Sequence, residues 1–252
     1  MRLLVLNANT SDFVTQRVAD AVRRIATPGT EIVPVTGRFG ARVIGSYTEM
    51  AIGEHSAIEL MARHARGCDA VLIAVSWDSG LRAGRELLSI PVVGMTEAAL
   101  LTARQLGARV GFVTFDQRSL TLYRAMIESY GFGPAVAGWR VVESKAVYTP
   151  SGATEVDRQI CAAIDDLAER DGAEVAIVNG AVMAGAAARL APNCIIPVLD
   201  GVTAGVLQAQ ALVRLGAAKP RRGGFARPTG REAIDVAPEL IAALRGDDGR
   251  ST

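Results

Sequence analysis

The sequence predicts an α/β protein made of two similar halves, each a parallel sheet flanked by helices and related to the other by pseudo-two-fold symmetry. Three observations carry that expectation. Short apolar runs of strand length alternate with longer stretches of helical periodicity. The segment Gly67 to Ala99 reads as strand, loop, helix, strand and loop in that order. Its pattern returns in Gly172 to Val206: a glycine, an acidic residue two places on, an apolar strand, a helix and a proline-led strand (Pro91-Val-Val-Gly, then Pro197-Val-Leu-Asp). In open parallel sheets, ligands lie outside the carboxyl ends of the strands. The repeat sets Val75 opposite Gly180, with Ser76 and Ala181 next, so two strand ends are expected to face each other across a cleft.

In chain order, Leu3 to Leu6 reads as the first strand. Asn9, Thr10 and Ser11 follow it as a loop that caps a helix starting near Asp12. Amides and hydroxyls at such a junction suit an anion, a carboxylate above all. Glu31 to Val35 is a second strand. A glycine-containing connection then leads to a helix over Thr48 to Arg66, with Tyr47 and Glu49 in a loop placed to cover the cleft. Ala70 to Val75 is a buried strand that ends in the polar break Ser76-Trp77-Asp78-Ser79-Gly80. A helix around Leu81 to Leu88 and a strand at Ile90 to Val93 complete this unit. Gly94 to Glu97 is then a loop and Ala98 to Leu106 a helix stopped by Gly107.

The second series begins with a strand at Val110 to Val113 and a hydroxyl-bearing loop from Thr114 to Ser119, like the segment Leu3 to Ser11. A helix over Leu120 to Tyr130, a strand at Trp139 to Val142 and a turn at Thr149 to Gly152 follow. An amphipathic helix over Glu155 to Arg170 then carries Val156, Ile160, Ile164 and Leu167 on one face. The apolar strand ending at Asn179 and Gly180, a helix over Met183 to Leu190 and the strand at Pro197 close the repeat. The helix Ala204 to Leu215 crosses back to the first half. The expected division is 1–97 plus 205–252 for the first half and 98–204 for the second.

Composition bounds the function. The 252 residues suffice for a substantial core, and half of them are hydrophobic. With 27 basic against 26 acidic side chains there is no electrostatic case for nucleic acid or an anionic membrane. The basic, Gly/Pro-rich stretch from Lys219 to Pro228 reads as an ordered loop or a solvated tail in preference to a nucleic-acid patch, and the end from Arg245 to Thr252 as frayed. The first apolar run is too short for a signal peptide, and no run reaches membrane-span length, which together predict a cytoplasmic protein. The three cysteines, Cys68, Cys161 and Cys194, form no CxxC pair. His55 and His64 have no metal-ligand spacing, so no metal site is expected.

Five segments in order resemble the aspartate/glutamate racemase superfamily, most closely its hydantoin and allantoin racemase branch. These are Leu6-Asn-Ala-Asn-Thr-Ser11, Gly94-Met-Thr-Glu-Ala-Ala99, Met183-Ala-Gly185, Pro197-Val-Leu-Asp-Gly-Val202, and Leu215-Gly216 with Arg222-Gly-Gly-Phe-Ala-Arg-Pro228. The resemblance implies cofactor-free proton chemistry at carbon, with one cysteine from each half flanking the substrate, and an oligomer of identical chains. It aligns those two cysteine positions with Val75 and Gly180. Neither residue carries a proton, and the three cysteines present fall away from the strand ends.

What remains is a set of binding groups on Asn9, Thr10, Ser11, Thr114 and the amides after Val75 and Gly180. Asn179 is placed to donate to an enolate or other oxyanion. Trp77, Ser79 and Ala181 are placed as walls. Asp78, Ser76, Tyr47 and Glu49 are the candidate proton-handling groups, with helix capping as the competing role for Asp78 and Ser79. The expectation is an enzyme with altered chemistry on a small carboxylate, hydantoin or cyclic amide, as a lyase, decarboxylase or hydrolase. A racemase using non-cysteine bases and a silent small-ligand-binding protein are the alternatives.

Overall fold

The computed structural model describes residues 1–143, 153–216 and 218–246. The expected turn at Thr149 to Gly152 and the end from 247 onward lie outside the described residues.

Apolar runs form the strands, and the run in the middle of each sheet is buried on both faces. The first sheet contains β1 (Arg2–Asn7), β2 (Glu31–Thr36), β3 (Ala70–Ile73) and β4 (Val92–Gly94), in the order β2-β1-β3-β4 and parallel throughout. Leu3, Leu4, Leu6 and the whole of β3 are buried, as expected of a strand covered by helices on both sides. Pro34 lies in β2, at the edge, where a missing backbone donor does least harm. The second sheet contains β5 (Val110–Thr114), β6 (Val136–Val141), β7 (Val175–Val178) and β8 (Val198–Asp200), in the order β6-β5-β7-β8. Each sheet thus places its strands in the same sequence: second, first, third, fourth.

The helices are α1 (Asp12–Ile25), α2 (Tyr47–His64), α3 (Leu81–Leu87), α4 (Met95–Leu106), α5 (Gln117–Ser129), α6 (Ala153–Asp171), α7 (Ala186–Leu190), α8 (Gly201–Leu215) and α9 (Pro238–Leu244). No helix among the described residues is long and apolar enough to cross a membrane. The helix that leaves each sheet packs on the other sheet as well. α4 follows β4 and touches β7 and β8, whereas α8 follows β8 and touches β3 and β4; α4 and α8 also pack on each other. One apolar core therefore runs through both halves, with Leu72, Met95, Leu100, Phe112, Ile177 and Val202 in it.

Three elements differ from expectation. The stretch Gly94 to Glu97 is not a loop: α4 begins at Met95, directly after β4, with Glu97 in its first turn. Met183 to Leu190 is not one helix. A single 3-10 turn over Ala181–Met183 is broken from α7 by Gly185, which adopts φ +74° and cannot continue a right-handed helix. Asp78 and Ser79 do not cap α3. Its N-cap is Gly80 at φ +77°, with no side-chain hydrogen bond. The far end of α3 is tied down by the basic loop: Lys219 Nζ donates to the carbonyls of Arg85 at 2.8 Å and Leu88 at 2.7 Å.

Candidate active site

The loops at the carboxyl ends of β1, β3, β5 and β7 line a cavity of about 100 Å³. Val75 lies two residues beyond Ile73, which pairs with Leu6, and Gly180 lies two beyond Val178, which pairs with Val113. Both line the cavity, so the two strand ends paired by the internal repeat do meet one cleft. Gly180 holds φ +107°, a backbone that L side chains rarely adopt, although a Cβ there would meet only ordinary contacts at 3.6 Å or more.

The first loop is built around Asn7. Its buried amide donates to Asn9 Oδ1 at 2.8 Å and to Thr15 Oγ1 at 3.0 Å. Asn9 Oδ1 also accepts from the Ser11 amide at 2.9 Å. The oxygen end of Asn9 is therefore occupied, and its Nδ2 makes no hydrogen bond among the described residues where the side chain lines the cavity. Ser11 turns away to cap α1, its Oγ accepting from Val14 N at 3.4 Å. The Thr10 amide donates to Ala41 O at 3.1 Å and so ties this loop to the segment before α2. That segment contributes Arg42, Val43 and Ile44 to the cavity. It is pinned a second time by Trp77 Nε1, which donates to Ile44 O at 2.7 Å. The Trp77 ring stacks on Tyr123 with centroids 4.4 Å apart and forms one wall.

On the opposite side stand Thr114, Phe115 and Asp116 after β5, and Asn179, Gly180 and Ala181 after β7. Asn179 is 3% exposed, and its Nδ2 has no hydrogen-bond partner among the described residues. A buried amide donor left without an acceptor costs ~1–3 kcal/mol, which a ligand oxygen would recover. Asp116 is the only carboxylate among the described residues that line the cavity. It caps α5, accepting from Ser119 N at 2.8 Å and Ser119 Oγ at 2.9 Å. Partial burial pushes its carboxyl up, but these hydrogen bonds and Arg118 outweigh that and hold it below the usual range.

Of the residues singled out from the sequence, the cleft brings together Asn9, Val75, Ser76, Trp77, Thr114, Asn179, Gly180 and Ala181. It does not include Thr10, Ser11, Ser79, Asp78, Tyr47 or Glu49. Glu49 belongs to a capping box at the start of α2: its amide donates to Ser46 Oγ at 3.2 Å, and its carboxylate accepts from Gly45 N at 2.8 Å. The Gly45 amide, with the Ser46 hydroxyl, holds that carboxyl below its ordinary value. Asp78 caps α4 from a distance, accepting from Thr96 N at 3.0 Å and Glu97 N at 2.8 Å. Ser79 is buried, with a hydroxyl that has no partner among the described residues. Tyr47 and Glu49 do not form a loop over the cleft: both belong to the first turn of α2, and Tyr47 is exposed and lines a different cavity together with Asp78.

Arg42, Phe115, Asp116, Ser119 and Tyr123 were not foreseen. Only Asp116 left a signal, the Asp-x-x-Ser spacing of a helix cap. The three cysteines lie elsewhere: Cys68 is buried before β3, and Cys161 and Cys194 have their sulfurs 3.1 Å apart between α6 and the approach to β8. Among the described residues no group of three His, Cys, Asp or Glu side chains could hold a metal ion.

Comparison with known proteins gives a consistent picture. A family model described as Asp/Glu/Hydantoin racemase matches residues 3–209. A hydantoin racemase from Pseudomonas sp. (strain NS671) is 32% identical over 242 residues, covering 93% of this chain and 94% of that one. The solved structure of allantoin racemase from Klebsiella pneumoniae superimposes with a TM-score of 0.87 at 31% identity, covering 96% of this chain and 98% of the other. Unliganded arylmalonate decarboxylase, at 16% identity, shares the fold with a TM-score of 0.60 over 87% of this chain and 95% of its own.

Proposed function

The chain belongs to the Asp/Glu/hydantoin racemase family, and on that premise we propose that it is a cofactor-independent enzyme that departs from two-cysteine chemistry. Its substrate is a small carboxylate, hydantoin or cyclic amide, and its cleft stabilises an enolate or similar oxyanion. The observation that carries this reading is Asn179 Nδ2, a buried donor without a partner among the described residues, on the wall of a cleft whose two strand ends carry Val75 and Gly180.

The chemistry follows from what lines the cleft. Removing a proton from carbon needs a base beside that carbon, and racemisation needs a proton-handling group on each face. Val75 and Gly180 supply neither, and Asp116 is committed to the start of α5. Breaking a carbon–carboxylate bond needs no base. The bond's electron pair stays on carbon and spreads onto the neighbouring carbonyl oxygen as CO2 leaves, and water then returns a proton to that carbon. Asn179, with the Thr114 hydroxyl and the Asn9 amide, is suited to hold the oxygen on which charge develops. Arg42, which no ion pair engages among the described residues, is suited to a substrate anion. Decarboxylation of a small carboxylate that bears a neighbouring carbonyl is therefore the reaction these residues favour. Hydrolysis would use the same oxyanion donors with an activated water.

A second reading, a member that binds but does not turn over its ligand, is favoured by the same shortage of titratable groups. Incubation in D2O with a panel of malonates, hydantoins, amino acids and small lactams, followed by NMR and chiral chromatography, separates the readings. Loss of substrate signals with deuterium in the product is expected. Deuterium entry with loss of optical activity would instead mean racemisation, and binding with no change in any compound would mean a silent member.

A further inference from the structure

A second and larger cavity, of about 670 Å³, lies on the other side of Trp77 from the cleft. That volume is typical of small-molecule sites. It opens between α2, the start of α3 and α5, and Trp77 is the one residue it shares with the cleft. Met50 and Ile58 of α2, Leu122 and Met126 of α5, and the rings of Trp77 and Tyr130 give it apolar walls. Asp78, which is 3% exposed, is among its lining residues.

Asp78 is held there at a cost. Its φ of +47° is left-handed, unusual for a residue other than glycine. Gly94 has to lack a side chain to make room, since a Cβ on it would stand 2.4 Å from Asp78 Cγ. Capping α4 does not explain this arrangement. In the second half the corresponding helix, α8, is capped by Asp200 from the position that matches Gly94, with an ordinary φ of −120°, while Met183 stands where Asp78 would be.

The surroundings of Asp78 leave its charge incompletely matched. From α4 the Thr96 and Glu97 amides donate to it, and from α5 the Tyr130 hydroxyl donates at 3.0 Å. Among the described residues no ion pair reaches it. Arg85 of α3 is bound to Glu97, with Nη1 at 3.0 Å, and Glu97 itself repels Asp78. At the mouth, α2 presents Glu54 and His55, the latter 3.2 Å from Glu59, and α3 presents Arg82, which is 3.5 Å from Ser129 O. Burial outweighs these hydrogen bonds and pushes the Asp78 carboxyl up to about 7.

We infer that this cavity is a binding site for a small organic ammonium ion, its charged head on Asp78 and its apolar part against Trp77, Met50 and Met126. The cation supplies both the missing charge and a further charge-assisted donor. Aromatic faces and thioethers suit the carbon body beside that charge.

Benzylamine titrated into the full chain at pH 8, followed by calorimetry and by tryptophan emission, tests the site. Saturable one-to-one binding is expected, at least tenfold tighter than that of benzyl alcohol. Asp78→Asn should weaken it at least tenfold. Ala125→Trp, which fills the cavity from the exposed side of α5 without touching the cap, should abolish it even if Asp78→Asn fails to fold. Absence of saturable binding, equal affinity for the alcohol, or undiminished binding by Ala125→Trp would overturn the assignment. None of these readouts depends on turnover in the cleft.

Discussion

The turn after β3 and the turn after β7 occupy the same place in the two sheets and solve the same problem differently. Each leads through a left-handed glycine, Gly80 or Gly185, into a short helix. Each sheet then sends its last strand straight into a long helix whose first amides need acceptors. The second half meets that need locally, with Asp200 accepting from Thr203 N at 2.9 Å. The first half has Gly94 at that point and brings Asp78 over from the neighbouring turn. The duplicated backbone thus tolerates moving a carboxylate from one loop to another, and only the first half gains a buried acid facing a cavity. The same freedom shows at the strand ends, where Val75 and Gly180 differ in both side chain and backbone.

The largest effect that separates the two turns should be one of pH. Asp78 ionises at about 7 in the fold, against ~3.9 in an unfolded chain. The folded state therefore holds the proton more tightly. That contribution is complete below about pH 4 and is lost as pH rises through about 7, a change of up to ~4 kcal/mol. Urea midpoints measured from pH 4 to 8 should fall across this window in the parent chain, and the fall should vanish in Asp78→Asn.

Next in size, Gly94→Ala should cost about 3 kcal/mol, because the new Cβ meets the Asp78 carboxylate instead of open space. Denaturant unfolding of this variant beside Gly94→Ala/Asp78→Ala would show whether the clash is with that side chain: the double change should recover part of the loss.

In the cleft, Asn179→Ala should lower kcat about a hundredfold while leaving the unfolding midpoint unchanged or slightly raised, since Nδ2 has no partner among the described residues. A drop in stability with intact kcat would make Asn179 a packing residue. The smallest effect belongs to the self-contained cap, where Asp200→Ala should cost about 1 kcal/mol by thermal unfolding.

The fold was legible because its signal is periodic and repeated. Runs as short as Ala70 to Ile73, bounded by turn residues, read as strands covered on both faces, and the two proline-led strands mark the duplication. The pairing of Val75 with Gly180 was legible for the same reason. The proton-handling candidates were not. Asp78 and Glu49 are polar residues in loops, and sequence position alone does not say whether a carboxylate turns toward a ligand or toward the amides of a helix. Arg42 reaches the cleft from an irregular segment fixed by Thr10 and Trp77, contacts made far along the chain.

The central claim is that this cleft works without a thiol. Its most direct test runs the D2O panel with the parent chain beside a Cys68→Ser/Cys161→Ser/Cys194→Ser variant confirmed to be folded. Conversion of the same compound by both, at similar rates, is the predicted result. Conversion by the parent and not by the folded cysteine-free chain, or by neither, would contradict it.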